Sequence, residues 1–289
     1  MKLFVTVIFL CLISPFTLGA DTVVIYPKPQ SEKDIRTNDL IALLKHSLEI
    51  TKETHGPYRL QTSDSVMTES RQLAALRQGQ GINIVWSSTS KALEKKLLPI
   101  RIPLRKGLLG YRISLIDKAN QESIDKIKTL ADLKSISIGQ GRGWGDVDIY
   151  KTNDIEVQQA PYNSLFKMVA NNRFDLFPRG INEIFDEHNA QAKVTPNLAI
   201  EKNLMIVYAW PYYFFTNPKD KAIADRIEYG LRKMIADGSF NKIFLRYHGN
   251  SIKQANVHQR RIIRINNNLL PTTVPLDDKS LWFDPLKDL

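Results

Sequence analysis

The chain has 289 residues, 43% of them hydrophobic and 24% charged, which is enough apolar material for two packed lobes and too much for a disordered polymer. Its 40 Lys and Arg against 30 Asp and Glu give a formal charge of +10, but the excess is spread along the sequence. The one local basic cluster, Arg260, Arg261 and Arg264, has no interleaved aromatics, so the composition argues against a nucleic-acid partner and for a solvated or carboxylate-paired surface.

Residues 1–20 read as a secretory leader: Lys2 starts it, an apolar core fills 3–13, and Thr17, Gly19 and Ala20 offer a small-residue cleavage region. The mature protein is expected to begin near Ala20 or Asp21. The apolar core is too short to span a bilayer, and no later segment approaches the ~20 apolar residues that spanning needs. Cys11, the only cysteine, lies in this leader, so the exported protein is expected to carry neither a disulfide nor a thiol nucleophile.

Residues 22–26 form an apolar run closed by Pro27 and Pro29, the pattern of a buried strand. Leu40, Leu43, Leu44 and Leu48 then recur at helical spacing over 38–50. A strand at 58–61, a helix at 69–77 stopped by Gly79, and a strand at 82–86 follow. The last runs into a polar loop of Ser87, Ser88, Thr89 and Ser90. Strand alternating with helix predicts an α/β chain with a parallel sheet. Extended stretches at 98–104 and 108–116 predict a crossing to a second lobe. There the alternation restarts: helix 130–133, strand 136–138, a short helix, strand 155–159, helix 164–171, strand 174–177 and helix 181–189. Extended pieces at 205–210 and 212–216 predict the return crossing. Ile223, Ile227, Leu231 and Ile235 place an amphipathic helix at 222–236, and a second helix occupies 240–248. The tail from Ser251 loses periodicity, with a strand expected at 262–265 and Leu281, Trp282 and Phe283 expected to pack back on the first lobe. This divides the chain into lobe one at 21–107 and 207–250, lobe two at 108–206, and an extension at 251–289 on lobe one.

The stretch around which the rest is arranged is 133–152. Its strand empties into Gly139, Gly141, Gly143 and Gly145, and Asp146 opens a helix. Glycines there admit close approach of a ligand to the backbone. The strict Gly-x-Gly alternation lacks the wider gap of a dinucleotide fingerprint, and Gln158 and Gln159 stand where a ribose-binding acid would close the next strand. NAD is therefore excluded. His46, His55, His188, His248 and His258 show no metal spacing, so no cofactor is expected.

Four segments carry a family resemblance: 130–141, the run SLFKMVANNRFDLF at 164–177, the stretch 210–216, and IEYGLRKMIADGSFNKIFLRYHG at 227–249. Over roughly 22–249 the chain resembles the periplasmic solute-binding proteins of the type II fold, especially the amino-acid-binding (family 3) components of ABC importers. The resemblance implies two α/β lobes joined by two crossing hinge strands. It also implies a small-molecule ligand enclosed between the lobes, a periplasmic monomer, and a membrane permease or sensor kinase as partner. The chain departs from the family at the amino-acid clamp. Ser87, Ser88, Thr89 and then Lys91 stand where an Arg grips the ligand's carboxylate, and Pro178-Arg179-Gly180 replaces the acid that holds its amino group. Arg179 is accordingly the first candidate for an anionic group, with Glu183 one helical turn on as its alternative partner. Arg142 and the amides around Gly141 and Gly143 are candidates for a second anion contact, although Asp146 and Asp148 sit in the same helical turn. Trp144, Trp86 and Tyr26 are candidates for the walls. The leading expectation is a binding protein for a small polar or anionic solute. The rivals are a dehydratase-like enzyme on the same fold, with Glu183 or Asp146 as acid or base, and a stand-alone sensor domain.

Overall fold

The computed structural model describes residues 21–31 and 34–284; the expected leader with Cys11 lies outside the described residues. Among the described residues no helix is long and apolar enough to cross a membrane.

Among the described residues twelve strands are arranged in two groups. In chain order they are β1 (Thr22–Tyr26), β2 (Tyr58–Thr62), β3 (Ile84–Ser88), β4 (Leu98–Ile100), β5 (Tyr111–Asp117), β6 (Ser137–Gly141), β7 (Glu156–Ala160), β8 (Phe177–Gly180), β9 (Leu198–Ile200), β10 (Leu204–Val207), β11 (Tyr212–Thr216) and β12 (Arg261–Arg264). In the first lobe β2 lies parallel to β1, and β11 runs antiparallel between β3 and β4. No regular ladder joins β1 to β3. One side chain substitutes for it: the Ile25 amide donates to Asn83 Oδ1 at 2.7 Å, Asn83 Nδ2 donates to the Val23 carbonyl at 2.8 Å, and the Asn83 amide donates to the Ile25 carbonyl at 3.0 Å. The spatial order is thus β2, β1, β3, β11, β4.

The second lobe repeats that order with its own strands. β7 lies parallel to β6, β6 reaches the next strand through a parallel bridge from Ile138 to Leu176, and β8 pairs antiparallel with β5. β9 and then β10 pair with the far side of β5. In each lobe the one antiparallel strand, β11 or β5, is the strand entered from a crossing.

Helices cover the sheets because their apolar faces leave them no other place to go. The helix Lys221–Ala236 buries Ile227, Leu231 and Met234 completely, each such burial being worth roughly 1.5–3 kcal/mol. It lies so close to the helix Asn38–Glu49 that a β-carbon on Gly230 would fall 2.3 Å from the Ser47 carbonyl oxygen. Buried Arg226 completes the joint by donating to the Thr51 hydroxyl at 3.0 Å and the Gly56 carbonyl at 2.7 Å, just past the end of that helix.

The two crossings touch. The Tyr208 amide donates to the Gly110 carbonyl at 3.1 Å and the Leu104 amide to the Tyr212 carbonyl at 2.9 Å. A β-carbon on Gly110 would lie 1.9 Å from the Tyr208 oxygen.

Three expectations need correction. The strand expected at 174–177 is displaced to Phe177–Gly180, because β5 pairs with Phe177 through Gly180 and the preceding residues turn. The helix expected at 240–248 runs on to Gln254, straight through Gly249. The tail does not rest on the first lobe alone: β12 pairs parallel with β10 and so extends the second lobe's sheet. An open strand edge is a template that the short Arg-Ile-Ile-Arg segment satisfies. Leu281 does join the first lobe's apolar cluster, with Trp282 packed against it, whereas Phe283 joins the second lobe's.

Candidate functional site

In an open α/β sheet the carboxyl ends of the strands are where a ligand site is sought. On the first lobe β1 delivers Tyr26 and β3 delivers Trp86. Their rings lie 6.1 Å apart, and Trp86 meets Phe214 edge-on at 6.4 Å. Burial raises the Tyr26 phenol above its ordinary pKa. Ser87 and Ser88 belong to β3 and not to a loop after it, because β11 pairs on through both, opposite Tyr213 and Tyr212. The buried Ser87 hydroxyl donates to Glu69 Oε1 at 2.8 Å, and the Thr89 hydroxyl to Glu94 Oε1 at 2.7 Å.

On the second lobe β6 runs on to Gly141, so two of the glycines that look like turn residues lie in a strand. What they make room for is aromatic. A β-carbon on Gly139 would fall 2.1 Å from the Phe174 ring, and one on Gly141 would fall 2.2 Å from the Trp144 ring. Gly143, exposed with φ +75°, is the true turn glycine. Arg142 beside it is exposed and makes no side-chain hydrogen bond or ion pair among the described residues. The helix that follows, Asp146–Lys151, is only six residues long. Its first turn is already occupied by the protein's own anion, since buried Asp146 forms an ion pair with Arg112 Nη2 at 2.6 Å and accepts from the Tyr208 hydroxyl at 2.5 Å.

Arg179 is not a free cation. It lies inside β8 opposite Ile113, 7% exposed. Its guanidinium grips Glu187 with two hydrogen bonds of 2.6 and 2.7 Å, sits 3.2 Å from Glu183 Oε2, and covers the Trp144 ring at 4.7 Å. The Trp144 ring in turn stacks on Phe177. Glu183 Oε2 also accepts from the Gly180 amide at 3.1 Å and lies 3.5 Å from Arg112 Nη1. Burial alone would push the Glu183 carboxyl up, but Arg179 and Arg112 outweigh it and hold the group below the ordinary carboxylate value.

Two groups at the seam have no motif to announce them. Arg112 projects from a wholly buried strand, donates to the Tyr208 hydroxyl at 2.8 Å, and lies over the Trp210 ring at 5.9 Å. Arg105, at the end of the first crossing, donates twice to Asp39, at 2.6 and 3.0 Å, and covers the Tyr212 ring at 5.5 Å. Their signal in the sequence is a cation inside an apolar strand and a cation just before a Gly hinge. An unpaired cation is not tolerated at such buried places, so each implies an acid nearby. Among the described residues no hydrogen bond, ion pair or ring contact joins the Tyr26–Trp86 group directly to Trp144 and Arg179. Burial is the chief cause that raises the Tyr212 phenol, while at Arg105 burial is outweighed by Asp39; Glu183 adds the smallest contribution to both. Among the same residues no group of three or more His, Cys, Asp or Glu is placed to hold a metal ion.

No protein-family model matches the chain, and no curated protein matches it. Solved structures match it in fold. The extracellular-binding protein YtmK of a probable amino-acid ABC transporter from Bacillus subtilis is 18% identical, with 80% of this chain and 99% of that one covered and a TM-score of 0.56. YckB from the same organism is 18% identical over 85% of this chain and 96% of that one, with a TM-score of 0.54. A structure bearing on glutathione import through GshT and the cystine importer TcyBC of Streptococcus mutans is 16% identical, with 79% and 95% covered and a TM-score of 0.53. The fold is therefore the two-lobed α/β fold of these binding proteins. Those proteins are matched almost end to end, whereas 15% or more of this chain lies outside each match.

Proposed function

We propose that this chain is an exported solute-binding protein of the type II fold that captures a small polar ligand between its lobes and presents it to a membrane partner, a permease or a sensor kinase. One observation carries the reading. The strands of the two lobes take the same spatial order, and the two crossings that join the lobes are hydrogen-bonded to each other. A ligand that touches both banks favours the shut form over the open one, which is how such a fold signals occupancy.

The ligand class follows from the charges. Arg105, Arg112 and Arg179 are each already paired with a carboxylate. At Arg179 an anionic ligand group must therefore compete with Glu187 and Glu183, and a neutral hydroxyl- or amide-bearing solute meets no such competition. A thermal-shift screen of sugars, amides, carboxylates, phosphates and amino acids tests this. A true ligand at ~100 times its Kd adds ~2.7 kcal/mol of stability, a clear rise in Tm. A screen in which every class leaves Tm unmoved would sink the binding role. One in which only carboxylates act, undiminished in Arg179→Ala, would sink the account of the charges.

A further inference from the structure

The tail beyond the helix Ser239–Gln254 follows a route that no requirement of the two lobes explains. Arg260 anchors its start on the second lobe, donating to the carbonyls of Ala255 and Glu201 at 2.6 and 2.8 Å. β12 then runs beside β10, and Arg261 donates to the Ile127 carbonyl at 2.9 Å. The chain next meets the return crossing, where Asn267 Nδ2 donates to the Ala209 carbonyl at 3.0 Å. It passes to the first lobe, where the Thr273 hydroxyl donates to Glu94 Oε2 at 3.1 Å and Leu281 enters the apolar cluster. Its end closes on the outgoing crossing. The Phe283 amide donates to the Lys106 carbonyl at 2.8 Å, the Tyr111 hydroxyl donates to the Phe283 carbonyl at 2.7 Å, and the Trp282 ring fills the space where Gly107 has no side chain, 2.6 Å from where a β-carbon would stand.

The tail therefore holds both lobes and both crossings. Hinge opening requires the few residues of the crossings to change their backbone angles, and these are the residues that Asn267, Trp282 and Phe283 pin. We infer that residues 260–284 are a clasp that holds the two lobes at one spacing with no ligand present, so that opening requires release of the clasp from the outgoing crossing. The inference goes beyond the binding role and rests only on the two-lobed fold.

The test needs no ligand, so its failure leaves the binding role standing. Arg71 and Ser164 are exposed on helices of opposite lobes. Spin labels on Arg71→Cys and Ser164→Cys, in a Cys11→Ser background, report the spacing of the lobes. The full chain should show one narrow distance population. Trp282→Ala with Phe283→Ala should add a second, longer one, as should cutting a protease recognition sequence inserted between exposed Asn268 and Leu269 after folding. A full chain that already samples the longer distance overturns the clasp, and so does a cut chain that keeps the single narrow population. Loss of the near-ultraviolet circular dichroism on cutting would make the tail a folding element and overturn it equally.

Discussion

Arg112 shows what a buried cation costs and what it organises. It is 5% exposed, bound to Asp146 and the Tyr208 hydroxyl, with Glu183 beyond. Removing one partner of such a pair leaves the other charge buried and uncompensated, at roughly 3–5 kcal/mol. Arg112→Ala should lower the stability measured by urea unfolding by about that much, while Arg112→Met with Asp146→Leu should recover most of it. A double variant as unstable as the single one would show that the pair does more than neutralise itself. Asp39 gives the pH counterpart. Burial opposes its ionisation, but Arg105 and His248 win and hold its carboxyl well below the usual range. A depressed folded pKa stabilises above the unfolded value, near pH 4, and that stabilisation is lost as pH falls below it. Stability should therefore fall on acidification below about pH 4, and Asp39→Asn should be less stable at neutral pH but flatter across that acid range. At this scale the sequence is least legible. It shows that Arg179 has an acid one turn away, but not that Glu187 takes the guanidinium first, because partner choice depends on how a strand and a helix meet in space.

Elements set by local pattern were easier to read. The strands Thr22–Tyr26 and Tyr212–Thr216 lie where the apolar runs put them, and the helix Lys221–Ala236 begins one residue earlier than its periodicity predicts. Elements set by pairing with distant chain were not. β3 ends two residues late and β8 begins three residues late because β11 and β5 decide their ends. The glycines of 139–145 illustrate the same limit, since three of the four face rings whose positions no local rule supplies. Gly110 is the strictest case among the described residues. Gly110→Ala would drive a β-carbon into the Tyr208 carbonyl, and overpacking against backbone should cost about 3 kcal/mol. Chemical unfolding of that variant should show it, and an unchanged midpoint would mean that the crossing yields freely.

At the level of the whole molecule the two-lobed plan was legible because the strand–helix alternation stops and restarts, and that interruption survives every small error in element ends. The tail was not, because a four-residue strand has no pattern that says which sheet it will join. The contact between the crossings has one more consequence. Since the Gly110 oxygen and the Tyr208 amide are bonded and have no slack between them, the two linkers cannot twist independently, and torsion imposed on either is transmitted to its neighbour.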